Sequence, residues 1–410
     1  MSNKGTEAAR DAWEAAIAEQ LEEAGRSHAR GDLAAEAAAQ CSLGLLYERR
    51  GELAEAHRRH AEALRLHGEL QDSAGQADDL GNLGTVRYAA GDLAGAQSAY
   101  RAAQALHHAR HDGLGEARDL GNLGLIARDQ GDLARAMSYH QAALKLHRAA
   151  GDLQGEANQL GNIALVLQVS GRLDDALRYH QGALVIYRQV GDRAGQARSL
   201  GNLAGIRRAR GELEAAEEGL RGALALHREL GDRQGEATQL GNLGLLLRAR
   251  GDLEGARRHH EEALALHRAI GSRAGEADSL TNLALARMAA DDLSGATADL
   301  KAALEIYRQM GHRQGAGATL TNLGLVHKRQ GELGLAAYYM RQALELHRLT
   351  GNRPGEANTL INLGLLDAQQ GDREAALTDL RQARAVLDES DLALGRDVLE
   401  EALRELGAAE

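Results

Sequence analysis

The sequence predicts an all-α solenoid of antiparallel helix pairs, and three observations carry that expectation. Over 410 residues a 40-residue motif recurs nine times without insertion or deletion, the mark of stacked supersecondary units. The chain is 44% apolar, mostly Leu and Ala, yet has no Phe, one Trp (Trp13) and nine Tyr, too few aromatics for the thick core of a mixed globular fold. It has one Pro (Pro354) but 49 Gly, which fall at fixed points of the repeat rather than with the three-residue period of collagen.

Residues 1–30 are expected to form an N-terminal capping helix. Within them, 7–29 align as a lone second helix of the repeat, with Ala16 in an Ala column and Trp13 in the column of Leu53. Residues 31–390 hold the nine repeats. Each has a helix A carrying LGNLG, which ends at Gly84, Gly124 and Gly244, with variants ending at Gly44, Ala164, Ala204, Ala284, Gly324 and Gly364. A Gly-Asp/Glu turn follows, for example at Gly51, Gly91 and Gly131, with Asp291 as a variant; a second turn of the same type lies at Gly151, Gly191 and Gly231. In the third repeat helix A is expected from about Leu114 to Gln130. Gly131 ends it in the left-handed conformation, and Asp132 opens helix B, which runs to about Ala150. Turns this short force antiparallel neighbours. Residues 391–410 are expected to cap the C-terminus. There 392–407 align as a lone helix A, in which Arg404 stands in the column of Gly364 and Ala402 in that of Asn362. A further helix B could not pack over Arg404, and solenoids need atypical ends.

Two columns of helix B, at Ala56 and Ala63 and every fortieth residue after them, are Ala in all nine repeats. The facing column on helix A, at Gly44 and its partners, is Gly or Ala. The expected packing is therefore small residue against small residue, with Leu43, Leu83, Leu123 and Ile163 beside it.

These columns resemble the tetratricopeptide repeat. In the fourth repeat the matching residues are Leu160, Ile163, Ala164, Ala176, His180 and Ala183. The resemblance covers residues 31–390 and, in half-repeats, nearly all the rest. The unit is longer than the common one of about 34 residues, and the Pro usual near the repeat end is missing. The GNLG-type helix A and the longer unit are closer to the arrays of kinesin light chains and mitotic spindle-orientation adaptors. The resemblance implies a right-handed superhelix and a non-enzymatic scaffold that binds an extended peptide or protein segment in its concave groove.

A column of asparagines is the most informative polar feature: Asn82, Asn122, Asn162, Asn202, Asn242, Asn282, Asn322 and Asn362. Asn is a mediocre helix former, and its amide offers the acceptor and donors that pair with a peptide backbone. By the family resemblance this ladder lines the concave face and holds peptide main chain; the alternative is that each Asn bonds a neighbouring helix of its own array. Variable columns of the same face, again by resemblance, hold Arg118, Arg198, Arg128, Arg208, Arg248 and Lys328, with Arg49 and Arg329, against Asp78, Asp278, Glu48 and Asp129. A positive excess there implies an acidic ligand, unless it is a solvated mixed face. The column of Leu45, Leu125, Leu165, Leu245, Leu285, Leu325 and Leu365 supplies apolar pockets or core.

Ten of the 17 histidines fall in two helix-B columns, which include His60, His140, His180 and His260, and His67, His107, His147, His227, His267 and His347. Pairs such as His140 and His147 lie about 10.5 Å apart by helix rise, too far to share one metal. Tyr, Leu and Met alternate with them, so they read as packing positions, and partly buried imidazoles would couple folding to pH.

Other chemistry is not expected. Lys plus Arg is 48 and Asp plus Glu 59, a net charge of −11, which disfavours nucleic acid as partner. Cys41 is the only cysteine, so neither an intramolecular disulfide nor a Cys-based metal site is expected, and it reads as an inert packed thiol. Gly-Asn-Leu-Gly lies inside a helix and lacks the Lys-Ser/Thr of a phosphate loop. No catalytic motif, metal or cofactor is expected. No signal peptide is expected, since the first residues lack an apolar stretch behind a basic head, and no apolar run approaches about 18 residues, so a cytoplasmic protein without membrane contact is expected. Arg, Ala and Gly richness with four Lys points to a GC-rich, bacterial genome. Self-assembly of arrays into homo-oligomers without a peptide ligand is the alternative role.

Overall fold

The computed structural model describes residues 3–390 and 395–407, with side chains from residue 13. All of its regular structure is helical. The chain divides into two compact units, Met1–Ile206 and Arg207–Glu410. The helices of the first are α1 (Asn3–Arg30), α2 (Leu33–Arg50), α3 (Leu53–Glu69), α4 (Ser73–Ala89), α5 (Leu93–Ala109), α6 (Gly113–Asp129), α7 (Leu133–Ala150), α8 (Leu153–Val169), α9 (Leu173–Gln189) and most of α10 (Arg193–Ala209). The second holds α11 (Leu213–Leu230), α12 (Arg233–Ala249), α13 (Leu253–Ala269), α14 (Arg273–Ala289), α15 (Leu293–Gln309), α16 (Arg313–Arg329), α17 (Leu333–Leu349), α18 (Arg353–Gln369), α19 (Arg373–Glu389) and α20 (Arg396–Glu405). Even-numbered helices are the A helices of the repeat. Within each unit a helix packs on its chain neighbours, and successive A helices also touch, as α4 with α6 and α12 with α14 do.

The turns follow from local chemistry. Gly151 takes φ 68°, and its N–H bonds the carbonyls of Arg148 and His147 at the end of α7. Asp152 N–H then bonds His147 O at 2.9 Å, and its carboxylate accepts from Gly155 N at 2.9 Å. One Gly-Asp pair thus closes one helix and opens the next. Among the described residues three left-handed positions lack glycine: Gln71, His111 and Asp291, at φ 56°, 58° and 64°.

The small-against-small packing is corrected in one respect. The Ala columns are fully buried, and backbones do approach: a methyl placed on Gly324 would lie 3.1 Å from Ala336 O. But the notch at the helix-A glycine is filled by the large helix-B residue between the two Ala columns. A methyl on Gly124 would lie 2.5 Å from His140 Cε1, one on Gly84 2.7 Å from Tyr100 Cε1, and one on Gly324 2.5 Å from Met340 Cγ. The second histidine column does the same one helix on: His147, Tyr187, His227 and His267 cover Gly155, Gly195, Gly235 and Gly275. Rings seated on glycines replace the missing Phe.

The ends differ in detail from the repeat alignment. Among the described side chains of α1 the buried residues are Ile17, Ala24 and Ser27, while Ala16 is half-buried, so the packed face is displaced by one residue. The last helix is shorter than 392–407, whose first three residues lie outside the described residues. It buries Leu399, Ala402 and Leu403 and leaves Arg404 exposed.

Candidate peptide-binding groove

All eight ladder asparagines sit mid-helix on A helices and are half-buried. Asn82 Nδ2 donates to Cys41 Sγ at 3.7 Å, and Asn362 Nδ2 donates to Asn358 O at 2.8 Å. Asn122, Asn162, Asn202, Asn242, Asn282 and Asn322 have no hydrogen-bond partner among the described residues. Their amide donors and acceptors are free.

In the first unit three of these amides share one recess of about 640 Å³. Asn122, Asn162 and Asn202 line it from α6, α8 and α10, together with Leu125, Leu165 and both Arg118 and Arg198. A contiguous recess of about 200 Å³ shares Arg118 and Asn122 and adds Asp78 and Asn82. The guanidinium of Arg118 lies 3.5 Å from Asp78. That of Arg198 lies 5.9 Å from the centre of the Tyr187 ring, a cation–π geometry. Burial raises the Tyr187 phenol above its ordinary value, so it stays protonated and donates to Asn158 Oδ1 at 2.7 Å. The Gly155 N–H holds the Asp152 carboxyl below the usual range, and Asp152 binds His147 Nδ1 at 2.8 Å on the same wall.

The other predicted cations are placed differently. Arg128 bonds Asp129 at 2.8 Å. Arg208 is exposed; Arg248 is half-buried with its Nε enclosed and unpaired. Lys328 is half-buried, and burial lowers its amine below the ordinary lysine range. Arg329 turns to Met288 O at 2.7 Å, and Glu48 binds His60. None of these six lines the recess that gathers Arg118 and Arg198. The Leu column splits as well: Leu125 and Leu165 line the recess, while Leu325 and Leu365 pack on core.

Sequence reasoning passed over three lining residues. Asn158 occupies the column of Arg118 and Arg198 but is uncharged, so a search for charge missed it. Tyr187 was read as packing only. Gly161 stands outside the small packing column, and a methyl added to it would meet nothing within 4 Å. It keeps the recess floor open beside Asn162.

Models of the tetratricopeptide repeat match residues 156–229, 196–269, 235–309 and 315–389, and a further one matches 120–150. The chain belongs to the tetratricopeptide repeat family. These matches do not single out the kinesin light chain or spindle-orientation branches. No curated protein matches the sequence. Among solved structures, this tetratricopeptide array is similar to a signal transduction ATPase with numerous domains, which carries a tetratricopeptide repeat sensor, from Pyrococcus horikoshii (TM-score 0.62, 16% identity, 90% of this chain and 55% of that one). It is also similar to the apo form of the quorum sensor NprR from B. thuringiensis (TM-score 0.58, 14% identity, 92% and 99%). Aspartyl phosphate phosphatase F from Bacillus subtilis is a third (TM-score 0.57, 14% identity, 68% and 72%). Identities this low speak for a shared fold. Among the described residues no helix is long and apolar enough to cross a membrane.

Proposed function

We propose that the chain is a non-enzymatic scaffold that binds an extended segment of a protein partner across its A helices, centred on α6, α8 and α10. The observation that carries this reading is the row of asparagine amides with no internal partner. A half-buried amide that bonds nothing in its own fold gains nothing for folding, and in mid-helix Asn is less favourable than Ala by roughly half a kcal/mol. Successive amides one repeat apart present both a donor and an acceptor to a main chain. Arg118 and Arg198, at either end of the recess, favour acidic side chains at the corresponding points of the ligand; Asp78 beside Arg118 tempers that preference. The sensor and quorum-sensor neighbours are consistent with a binding role on this fold.

The test is selection of unstructured peptides from a display library on the full chain, followed by hydrogen–deuterium exchange of the complex. Added protection should concentrate on α6, α8 and α10. Protection confined to B helices, or failure to select any peptide, would contradict the proposal.

A further inference from the structure

Away from the recess, three unlike donors converge on α2, α3 and α4. Cys41, His60 and Asp79 each offer a ligand atom, and these atoms all lie within 4.8 Å of one another. His60 and Asp79 are 0% and 1% exposed; His60 Nδ1 and Asp79 Oδ1 have no hydrogen-bond partner, although the Asp79 carboxylate lies near enough to the Cys41 thiol to share its proton. A buried carboxylate oxygen and a buried imidazole nitrogen left bare are costly. The opposite atom of each group is anchored: His60 Nε2 donates to Glu48 Oε1 at 2.7 Å, and Asp79 Oδ2 binds His67 Nδ1 at 2.6 Å. The first bond fixes the tautomer, leaving a lone pair on Nδ1. Carboxylate behind histidine and histidine behind carboxylate is the outer arrangement that orients metal ligands.

The equivalent place in the third repeat shows what a closed version looks like. There Gly121, His140 and Gln159 replace the three, and His140 Nδ1 bonds Gln159 Oε1 at 2.9 Å. In the first repeat Gln has become Asp and Gly has become Cys, the one Cys in a column otherwise Gly, Thr or Ile. This departs from the expectation that a lone cysteine makes no Cys-based metal site: one thiolate suffices in a mixed set.

We propose that Cys41, His60 and Asp79 form a site for a divalent cation of the zinc class, with Cys41 Sγ, His60 Nδ1 and Asp79 Oδ1 as ligands. A mixed sulfur, nitrogen and oxygen set suits zinc. Bond lengths of about 2.0–2.3 Å put ligands of one tetrahedral ion about 3.5 Å apart, against an upper limit of 4.8 Å for one ligand atom from each of the three residues here. Cys41 is half-buried, which leaves an entry path and a fourth position for water. Burial, with the Asp79 carboxylate adding to it, pushes the Cys41 thiol up to about 11. Asn82, which donates to Cys41 Sγ, ties the site to the asparagine row.

The test uses the full chain, stripped by chelator and titrated with zinc chloride or cobalt chloride. Variants are Cys41→Gly, which restores the usual residue of that column, and Asp79→Gln, which restores the pairing of the third repeat. The expected result is one zinc per wild-type chain, affinity lower at least tenfold in each variant, and a thiolate–cobalt absorption band absent from Cys41→Gly. Circular dichroism checks that both variants fold. No stoichiometric zinc in the wild type, or equal affinity in a folded Cys41→Gly, would overturn the proposal.

Discussion

Single positions carry two effects that composition alone does not separate. Gly161 and Gly124 are both mid-helix glycines of the same motif. Gly124 is required because His140 fills the space above it, whereas Gly161 has nothing within 4 Å. Gly161→Ala is expected to stabilise the array by about 1 kcal/mol, the helix-propensity difference, while weakening peptide binding; a fall in the thermal midpoint would show a packing role instead. His260 is the clearest titrating position. Neither of its nitrogens has a partner, and burial, with Arg248 and His259 nearby, pushes it down to about 4. The unfolded chain takes up that proton first, near pH 6.5, so this histidine costs stability as pH falls from about 6.5 to 4. His260→Leu, the residue at 220, 300 and 380, is expected to melt higher than wild type. Denaturant midpoints at several pH values check this: the gap should widen by about 1 kcal/mol between pH 7 and 5.5, and a constant gap would contradict the assignment. The histidine columns were legible as packing in the sequence. Their glycine seats were not, because each ring meets a residue on another helix that no local pattern pairs with it.

At the level of the helix and its turn, the sequence was most informative. Gly at the left-handed position and Asp one residue later specify both boundaries, and helices α6 and α7 end within a residue or two of where that chemistry puts them. The exceptions are instructive. Gln71 and His111 hold left-handed backbone with a Cβ, a conformation that costs about 1 kcal/mol or more. Gln71→Gly and His111→Gly are each expected to raise stability by about that amount, read as slower hydrogen exchange in α3–α4 and α5–α6. Unchanged or faster exchange would mean that the turns are held by something other than backbone preference. The lone end helices were less legible. Ile17 and Ala24 in α1 displace the packed face by one residue, since an end helix has a neighbour on one side only.

For the molecule as a whole, nine equal periods made the all-α array and its repeat family legible, but they made every repeat look alike. The sequence therefore proposed eight equivalent asparagines and eight cations. The structure gathers Asn122, Asn162, Asn202, Arg118 and Arg198 at one recess, and the difference lies in side chains such as Asn158 and Tyr187 that a periodic reading averages away. The same averaging hid Cys41, His60 and Asp79, which meet only once three helices are folded together. Binding along the A helices is the central claim, and the Asn162→Ala/Asn202→Ala double variant tests it most directly. Affinity for a selected peptide and the thermal midpoint should be measured on the same preparations. Two lost pairs of hydrogen bonds, at roughly 1 kcal/mol or more each, predict binding weaker by about tenfold to a hundredfold, with a midpoint equal to or above that of wild type. Unchanged affinity, or a variant that melts lower and binds normally per folded molecule, would contradict it and make the asparagines structural.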